Sequence, residues 1–402
     1  MKICVIGAGV IGCATAYQLV RSGHEVLLVD AASGPATGTS FANGAQLSYS
    51  HVAPLANPAT LRAIPRMLWE AHSPLGLRIR PSMAQWVWIV AFLRSCGAQQ
   101  AGRGTLALLA TASLSRDTLE RWIRDDGMDI GIQRNGKLVL CRDERSLTSQ
   151  RRQVSLQSNS GSEQVLLDRD ACIEREPALS QYTGFIGGVW TPGECAADPR
   201  TFCATLIAAA RQRGACTSWS TTVDDLVIEG GRVAAARTSD GDISADAYVL
   251  ANGIAAPRLA RQLGESLPIE PIKGYSLTLR MKPGITAPTT NVTDLGRRTV
   301  LAPLDGRLRV AAMAELGQDD LRIPPHRLVQ MTQTVQAIYP GLCDFHAPAA
   351  WAGLRPATPT SLPVVRQSRV ANVFLNVGHG ALGFTLACGC AVQVAQAIHE
   401  AR

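Results

Sequence analysis

Gly7, Gly9 and Gly12 stand in a GxGxxG spacing, and Asp30 closes the apolar run that follows. Glycines so spaced let a backbone approach a pyrophosphate, and an acid in that place accepts hydrogen bonds from both hydroxyls of a ribose. The chemistry is dinucleotide binding, and Asp30 disfavours a 2′-phosphate, whose charge it would oppose. The elements that must position these residues lie around them. Ile3 to Ile6 is a short apolar run rich in β-branched residues, expected as a buried parallel strand. Gly7 permits the tight turn, Gly9 admits the pyrophosphate and Gly12 lets the next helix sit close to the strand. That helix, opening with Val10 and Ile11, is expected to run to Arg21, with Gly23 placed to stop it. Glu25 to Asp30 is the second strand.

A second GxGxxG, Gly378, Gly380 and Gly383 in "NVGHGALGFT", follows an expected strand at Val373–Val377. No acid-tipped strand follows it before Arg402, so it is read as a helix N-terminus aimed at the dinucleotide of the first site. Free N–H groups there stabilise an anion. A reduced flavin ring, which carries negative charge around N1 and its C2 carbonyl, fits, so FAD is expected rather than NAD. Short strands at Thr217–Val223, Asp225–Glu229, Arg232–Thr238 and Ala247–Ala251, with Gly230–Gly231 and Asp240–Gly241 as hairpin turns, form the small meander expected of that class.

Composition narrows the field. The chain has 402 residues, 46% of them hydrophobic, and a net charge of +7 without a basic arm, which argues against nucleic-acid binding. Eleven cysteines without metal spacing imply reduced thiols and no metal site. No leader is read before the first strand, so a cytoplasmic protein is expected. The longest strongly apolar stretch noted, Met83 to Leu93, is too short to span a bilayer.

Six stretches, "VIGAGVIGCATAYQLVRSGHEVLLVD", "TSFANGAQLSYSHVAP", "PIKGYSLTL", "RLRVAAMAEL", "WAGLRPATP" and "NVFLNVGHGALGFTLACG", occur in an order that resembles the FAD-dependent amino acid oxidoreductases of the D-amino-acid oxidase type. Within that family they look most like the bacterial D-amino acid dehydrogenase branch. The resemblance implies that Thr39, Ser40, Ala42, Asn43 and Gln46 line one face of the flavin ring. It places the Val223 backbone at the adenine and Gly253 near the pyrophosphate or ring. Gly378, Gly380, Leu382, Gly383, Phe384 and Thr385 bracket the pyrimidine edge, and Tyr275 and Arg355 point into the substrate pocket. An arginine there can grip a carboxylate with two parallel hydrogen bonds, and Tyr275 can add a third. His51 and His379 flank the proposed site as candidates for taking a proton from the substrate ammonium, or as supports of the local turn. Where the family continues with TPDG, this chain has "TPTSLPVVR", with Thr360, Ser361 and Arg366, so the loop after Arg355 is expected to differ in shape.

The expected fold class is α/β: an FAD-binding Rossmann-type domain over 1–50, 195–262 and 350–402, with a discontinuous α+β substrate domain over 51–194 and 263–349 built on an antiparallel sheet. Between 62 and 103, Arg62, Arg66, Arg78, Arg80, Arg94 and Arg103 stand against one acid, Glu70, with Trp69, Trp86 and Trp88 among them. Two readings stay open: a helical part of the substrate domain with its apolar run buried, or a patch lying on the inner face of the cytoplasmic membrane. The expected reaction is oxidative deamination of D-amino acids, with electrons passed to a quinone or carrier protein. The alternatives are the same chemistry on a cyclic or N-alkyl amino acid such as hydroxy-D-proline or sarcosine, a flavin subunit of a larger complex, and an NAD-dependent reductase.

Overall fold

The computed structural model describes residues 1–69, 74–157 and 163–401. Glu70, one of the residues singled out between 62 and 103, lies outside them, and of Arg66 and Trp69 only the helical backbone is described.

The apolar N-terminal run forms the strand Lys2–Ile6, flanked in parallel by Glu25–Val29 and Ala247–Leu250. Cys216–Ser218 and Val373–Val377 extend the sheet in parallel, and Val364–Gln367 closes one edge antiparallel. Both faces are covered, which is why the strand residues are apolar throughout rather than alternating. Ile3 and Val5 face a core shared by the helices Val10–Arg21, Pro199–Gln212 and Gly383–Glu400. Cys4 and Ile6 face the other core, made with the meander Val223–Glu229, Arg232–Thr238 and the helix Ala256–Gln262.

The second sheet has nine strands. Its main path runs from Cys343–Ala357 through Glu270–Met281, Arg307–Leu316, Thr299–Leu304 and Asn291–Asp294 to Lys137–Cys141, Gly187–Thr191 and Val165–Asp168. Pairing is antiparallel except where Asn291–Asp294 meets Lys137–Cys141 and where Leu75–Leu77 joins Arg307–Leu316.

Two expected boundaries move. Position 350 falls inside the strand Cys343–Ala357, which pairs with Glu270–Met281 as far as Ala357, so the substrate sheet keeps residues up to that point. The helix Ala98–Asp126, placed by sequence with the substrate domain, packs in the nucleotide-side core through Leu108, Ala112, Leu119 and Trp122. A methyl group on Gly389 would come 2.5 Å from the Thr111 carbonyl oxygen, so the C-terminal helix and this one touch backbone to backbone. A second apolar stretch also emerges. Gly380–Glu400 has a mean hydropathy of 1.6 and the length to cross a bilayer, but Leu386, Cys390, Val394 and Ile398 are buried in the protein core.

Candidate active site

One cavity of about 930 Å3 opens where the two sheets meet. Its floor is the turn after the first strand. Gly7 has φ +106°, and a methyl group there would lie 2.7 Å from the Ala251 carbonyl oxygen. A methyl group on Gly12 would lie 1.7 Å from the carbonyl oxygen of Gly7, so the helix meets the strand with no room for a side chain. Gly12 itself sits behind the cavity wall, whereas Gly7, Gly9, Val10 and Ile11 line it. Asp30 lines it too. Its two carboxylate oxygens accept the N–H groups of Ala8 at 2.6 Å and Ala32 at 2.8 Å, which fixes the acid and leaves each oxygen a further lone pair.

The opposite end of the chain supplies another wall. Gly378 and Gly380 have φ +80° and +55°, and Gly378, His379, Gly380, Leu382, Gly383 and Phe384 all line the cavity ahead of the long C-terminal helix. Thr385, expected beside them, is buried beneath, and its hydroxyl accepts the Ser48 N–H at 3.1 Å.

The stretch 39–46 forms the third wall, and Thr39, Ser40, Ala42, Asn43 and Gln46 all reach the cavity. Each is tied down. Ser40 Oγ accepts the Val10 N–H at 3.0 Å, and Thr39 donates to the Leu354 carbonyl at 2.7 Å. The Gln46 amide donates to the carbonyls of Val292 and Leu301 in the second sheet. Arg309, which no sequence signal marked, pins the same loop: it donates to the Asn43 carbonyl at 3.0 Å and pairs with Asp198 at 3.1 Å. Val223 and Gly253 line the far end, where Arg258 holds the Val223 carbonyl at 2.6 Å. The glycine cradle, the fixed acid, and the buried Asn252 Oδ1, His51 Nδ1 and His379 Nε2 atoms that lack partners together fit a dinucleotide-flavin.

The second sheet roofs the cavity. Arg355 projects from Cys343–Ala357 and is opposite Ile272 in the neighbouring strand. Its guanidinium lies over Gly274, where a methyl group would sit 2.4 Å from Cζ. The glycine of "KGYSL" is therefore the space the arginine occupies. Nη1 donates to the Met313 carbonyl at 3.0 Å, and no described carboxylate pairs with Arg355. Burial lowers its pKa to about 10, so it is still cationic near neutrality. Trp351 folds over Gly353 on the same strand, another contact that only a glycine admits.

Tyr275 reaches the cavity, but its hydroxyl is committed elsewhere. It donates to Glu315 Oε2 at 2.6 Å, while Arg327 takes Oε1 at 2.6 Å. Burial and the Glu315 carboxylate push the phenol pKa up. A hydroxyl has one hydrogen to give, so Tyr275 shapes the pocket with its ring rather than adding the third carboxylate bond expected from sequence.

His51 and His379 both line the cavity. Burial lowers each to about 3, helped at His51 by the Lys137 charge. A conjugate acid that weak holds an ammonium proton poorly, so the geometry gives both imidazoles as neutral hydrogen-bonding groups rather than bases. We expect kcat/KM of His379→Asn and His51→Asn to keep the parent's pH profile between about pH 5 and 8. A limb near the ordinary histidine pKa that vanishes in either variant would contradict this.

Comparisons with known proteins give the family. The family model described as FAD dependent oxidoreductase (DAO) matches residues 2–397. D-amino acid dehydrogenase 2 of Pseudomonas aeruginosa is 41% identical over 399 residues, covering 99% of this chain and 94% of that protein. The protein of the same name from Ralstonia nicotianae is also 41% identical, with 99% and 96% covered. Among solved structures, glycine oxidase from Geobacillus kaustophilus superposes with a TM-score of 0.77 at 22% identity, covering 99% of this chain and 95% of that one. L-proline dehydrogenase from P. horikoshii gives 0.76 at 20%, covering 99% and 93%; at such identities these two speak for the fold alone. A family match across almost the whole chain, on a cavity built from both chain ends, means that the chain belongs to the FAD dependent oxidoreductase family.

Proposed function

We propose that this chain oxidises D-amino acids to 2-oxo acids and ammonia and passes the electrons to a membrane quinone or a carrier protein. The observation that carries the reading is Arg355, a half-buried guanidinium with no described carboxylate partner, in the roof of the cavity that fits FAD. A substrate carboxylate supplies the missing counter-charge through charge-assisted bonds. The two relatives at 41% identity are both named D-amino acid dehydrogenase, which supports the same substrate class. Held by its carboxylate, the amino acid presents Cα to the cofactor. Bound FAD supplies a two-electron acceptor for the hydride from Cα. The chain's own part is positioning: Gly274 leaves room for the clamp, Trp351 and Met313 enclose the substrate, and the imino acid released hydrolyses in water. Anaerobic mixing with a panel of D- and L-amino acids tests this. Bleaching of the flavin absorbance by D-amino acids is expected, and bleaching confined to L-amino acids or to N-alkyl glycines would overturn the assignment.

The acceptor side rests on the helix Met83–Ser95. Gln85, Trp88 and Phe92 face inward, and the Trp88 indole donates to the Ala357 carbonyl at 2.8 Å, close to Arg355 in the chain. Met83, Trp86, Val87, Val90 and Leu93 are exposed at 41–79% and recur at helical spacing, so one face is apolar and uncovered. The exposed Arg78 and Arg94 border it. Arg80 does not belong to this rim: it pairs with Glu270 at 2.7 Å and Asp319 at 2.5 Å, so it ties the segment to the substrate sheet. An apolar face with a basic border suits an anionic lipid surface. Val87→Asp with Val90→Asp is expected to lower binding to anionic vesicles at least tenfold while leaving dye-linked activity unchanged. Arg78→Glu with Arg94→Glu should also weaken it, each charge being worth about 1 kcal/mol. Vesicle binding untouched by both pairs would count against membrane attachment through this helix.

A further inference from the structure

The charged groups lining the cavity are unevenly committed. Among the described residues, five carry a formal charge: Asp30, Lys137, Arg258, Arg298 and Arg355. Asp30 is fixed at the glycine turn by two backbone N–H groups. Arg258 donates to the carbonyls of Val223 and Asp224. Lys137 is balanced by the buried Glu194, with which it shares the Ser48 hydroxyl. Arg355 is left for the substrate carboxylate. That leaves Arg298. It is exposed, it lines the cavity, and its side chain makes no hydrogen bond or ion pair with a described residue.

The sheet brings Arg298 close to the clamp. Thr299 pairs with Ala312 in the neighbouring strand, so the next residues outward, Arg298 and Met313, lie side by side, with Cα atoms about 5 Å apart. The Met313 carbonyl is the one that holds Arg355 Nη1. Both residues have positive φ, +50° at Arg298 and +69° at Met313, where glycine would cost least. Strain of this kind at non-glycine residues gathers at binding sites. From Gly274, beneath the Arg355 guanidinium, two strand-to-strand steps lead to Arg298, a path of about 10 Å. A substrate side chain and the long side chain of Arg298 can close that gap together. Glu315, on the strand Arg307–Leu316, offers nothing to a cationic substrate, because Tyr275 and Arg327 take its two oxygens.

We infer that Arg298 receives the substrate side chain, and that D-amino acids with a carboxylate on the β or γ carbon are preferred. The inference rests on the D-amino acid reading and narrows its substrate class. Dye-linked kcat/KM of the holoenzyme for D-glutamate against the isosteric D-glutamine reads the side-chain charge alone. The parent should favour D-glutamate at least tenfold. In Arg298→Gln the protein should stay yellow and the ratio should fall to within threefold of one, through a raised KM for D-glutamate. Arg298→Lys should keep part of the preference. Arg298→Gly relieves the positive-φ strain, so its Tm should be no lower than the parent's while the preference is still lost; a merely structural role would not give that pair of results. A parent that favours D-glutamate less than threefold, or that oxidises D-glutamine or D-arginine better, would overturn the inference. So would an equal loss with D-glutamate and D-glutamine in Arg298→Gln, which would put Arg298 at the α-carboxylate or in the fold. A parent whose flavin no D-amino acid bleaches would instead overturn the oxidation reading itself.

Discussion

Arg355→Lys is expected to fold, bind FAD and lose about 100-fold or more in kcat/KM for D-alanine. The structure explains why a retained charge does not suffice. The guanidinium lies over Gly274, with Nη1 anchored on Met313, and its remaining N–H groups include a pair that can grip a carboxylate. A lysine ammonium is a point donor on a flexible stem and cannot form the paired bonds. Losing charge-assisted bonding in a buried site amounts to roughly 3 kcal/mol. Gly274→Ala probes the same clamp from beneath: its methyl group would sit 2.4 Å from Cζ of Arg355 and force the guanidinium away, with the charge intact. Both variants should lower kcat/KM for amino acids while remaining yellow. Primary amines without a carboxylate should be poor substrates for the parent and nearly indifferent to either change. Unimpaired oxidation of D-alanine by Arg355→Lys would place the carboxylate elsewhere.

The second large effect lies at the glycine turn, where two neighbouring substitutions should fail differently. Gly9→Val puts a branched side chain into the cavity, with only the Ser40 hydroxyl near its Cβ, at 3.2 Å. The fold should survive and the protein should be colourless, because the branch takes the pyrophosphate's place. Gly12→Ala adds a single methyl group within a helix, a change that elsewhere stabilises by about 1 kcal/mol. Here that methyl would meet the Gly7 carbonyl oxygen at 1.7 Å, so helix and strand must part. The expected result is a lower Tm even without cofactor, and FAD lost as a consequence. A yellow, fully active Gly9→Val would sink the cofactor assignment. A Gly12→Ala protein as stable as the parent would show that the helix can retreat freely.

Much of this was legible in the sequence, for a physical reason: it concerned the backbone. Gly7 and Gly12 sit where the packed backbone excludes a side chain, Gly9 faces the open cavity, Asp30 ends its strand, and Gly378 and Gly380 adopt positive φ ahead of a helix. Such constraints act over a few residues and leave a spacing that can be read. The apolar strands of a sheet covered on both faces are equally local.

What only the tertiary structure decided concerns residues far apart in the chain, whose side chains must share or compete for partners. Tyr275 and Arg355 both reach the cavity, but Glu315, from a third strand, takes the tyrosine hydroxyl. Arg80 looked like one of a row of surface arginines until Glu270 and Asp319 were brought beside it. The helix Ala98–Asp126 carries an apolar face that suits either unit, and the bare backbone at Gly389 drew it to the nucleotide side. Lys137 carried no signal, since a lysine at the head of a strand is ordinarily in water. Its burial beside the equally buried Glu194 is set by the strands on either side and the Ser48 loop, and is visible only once the chain has closed around it.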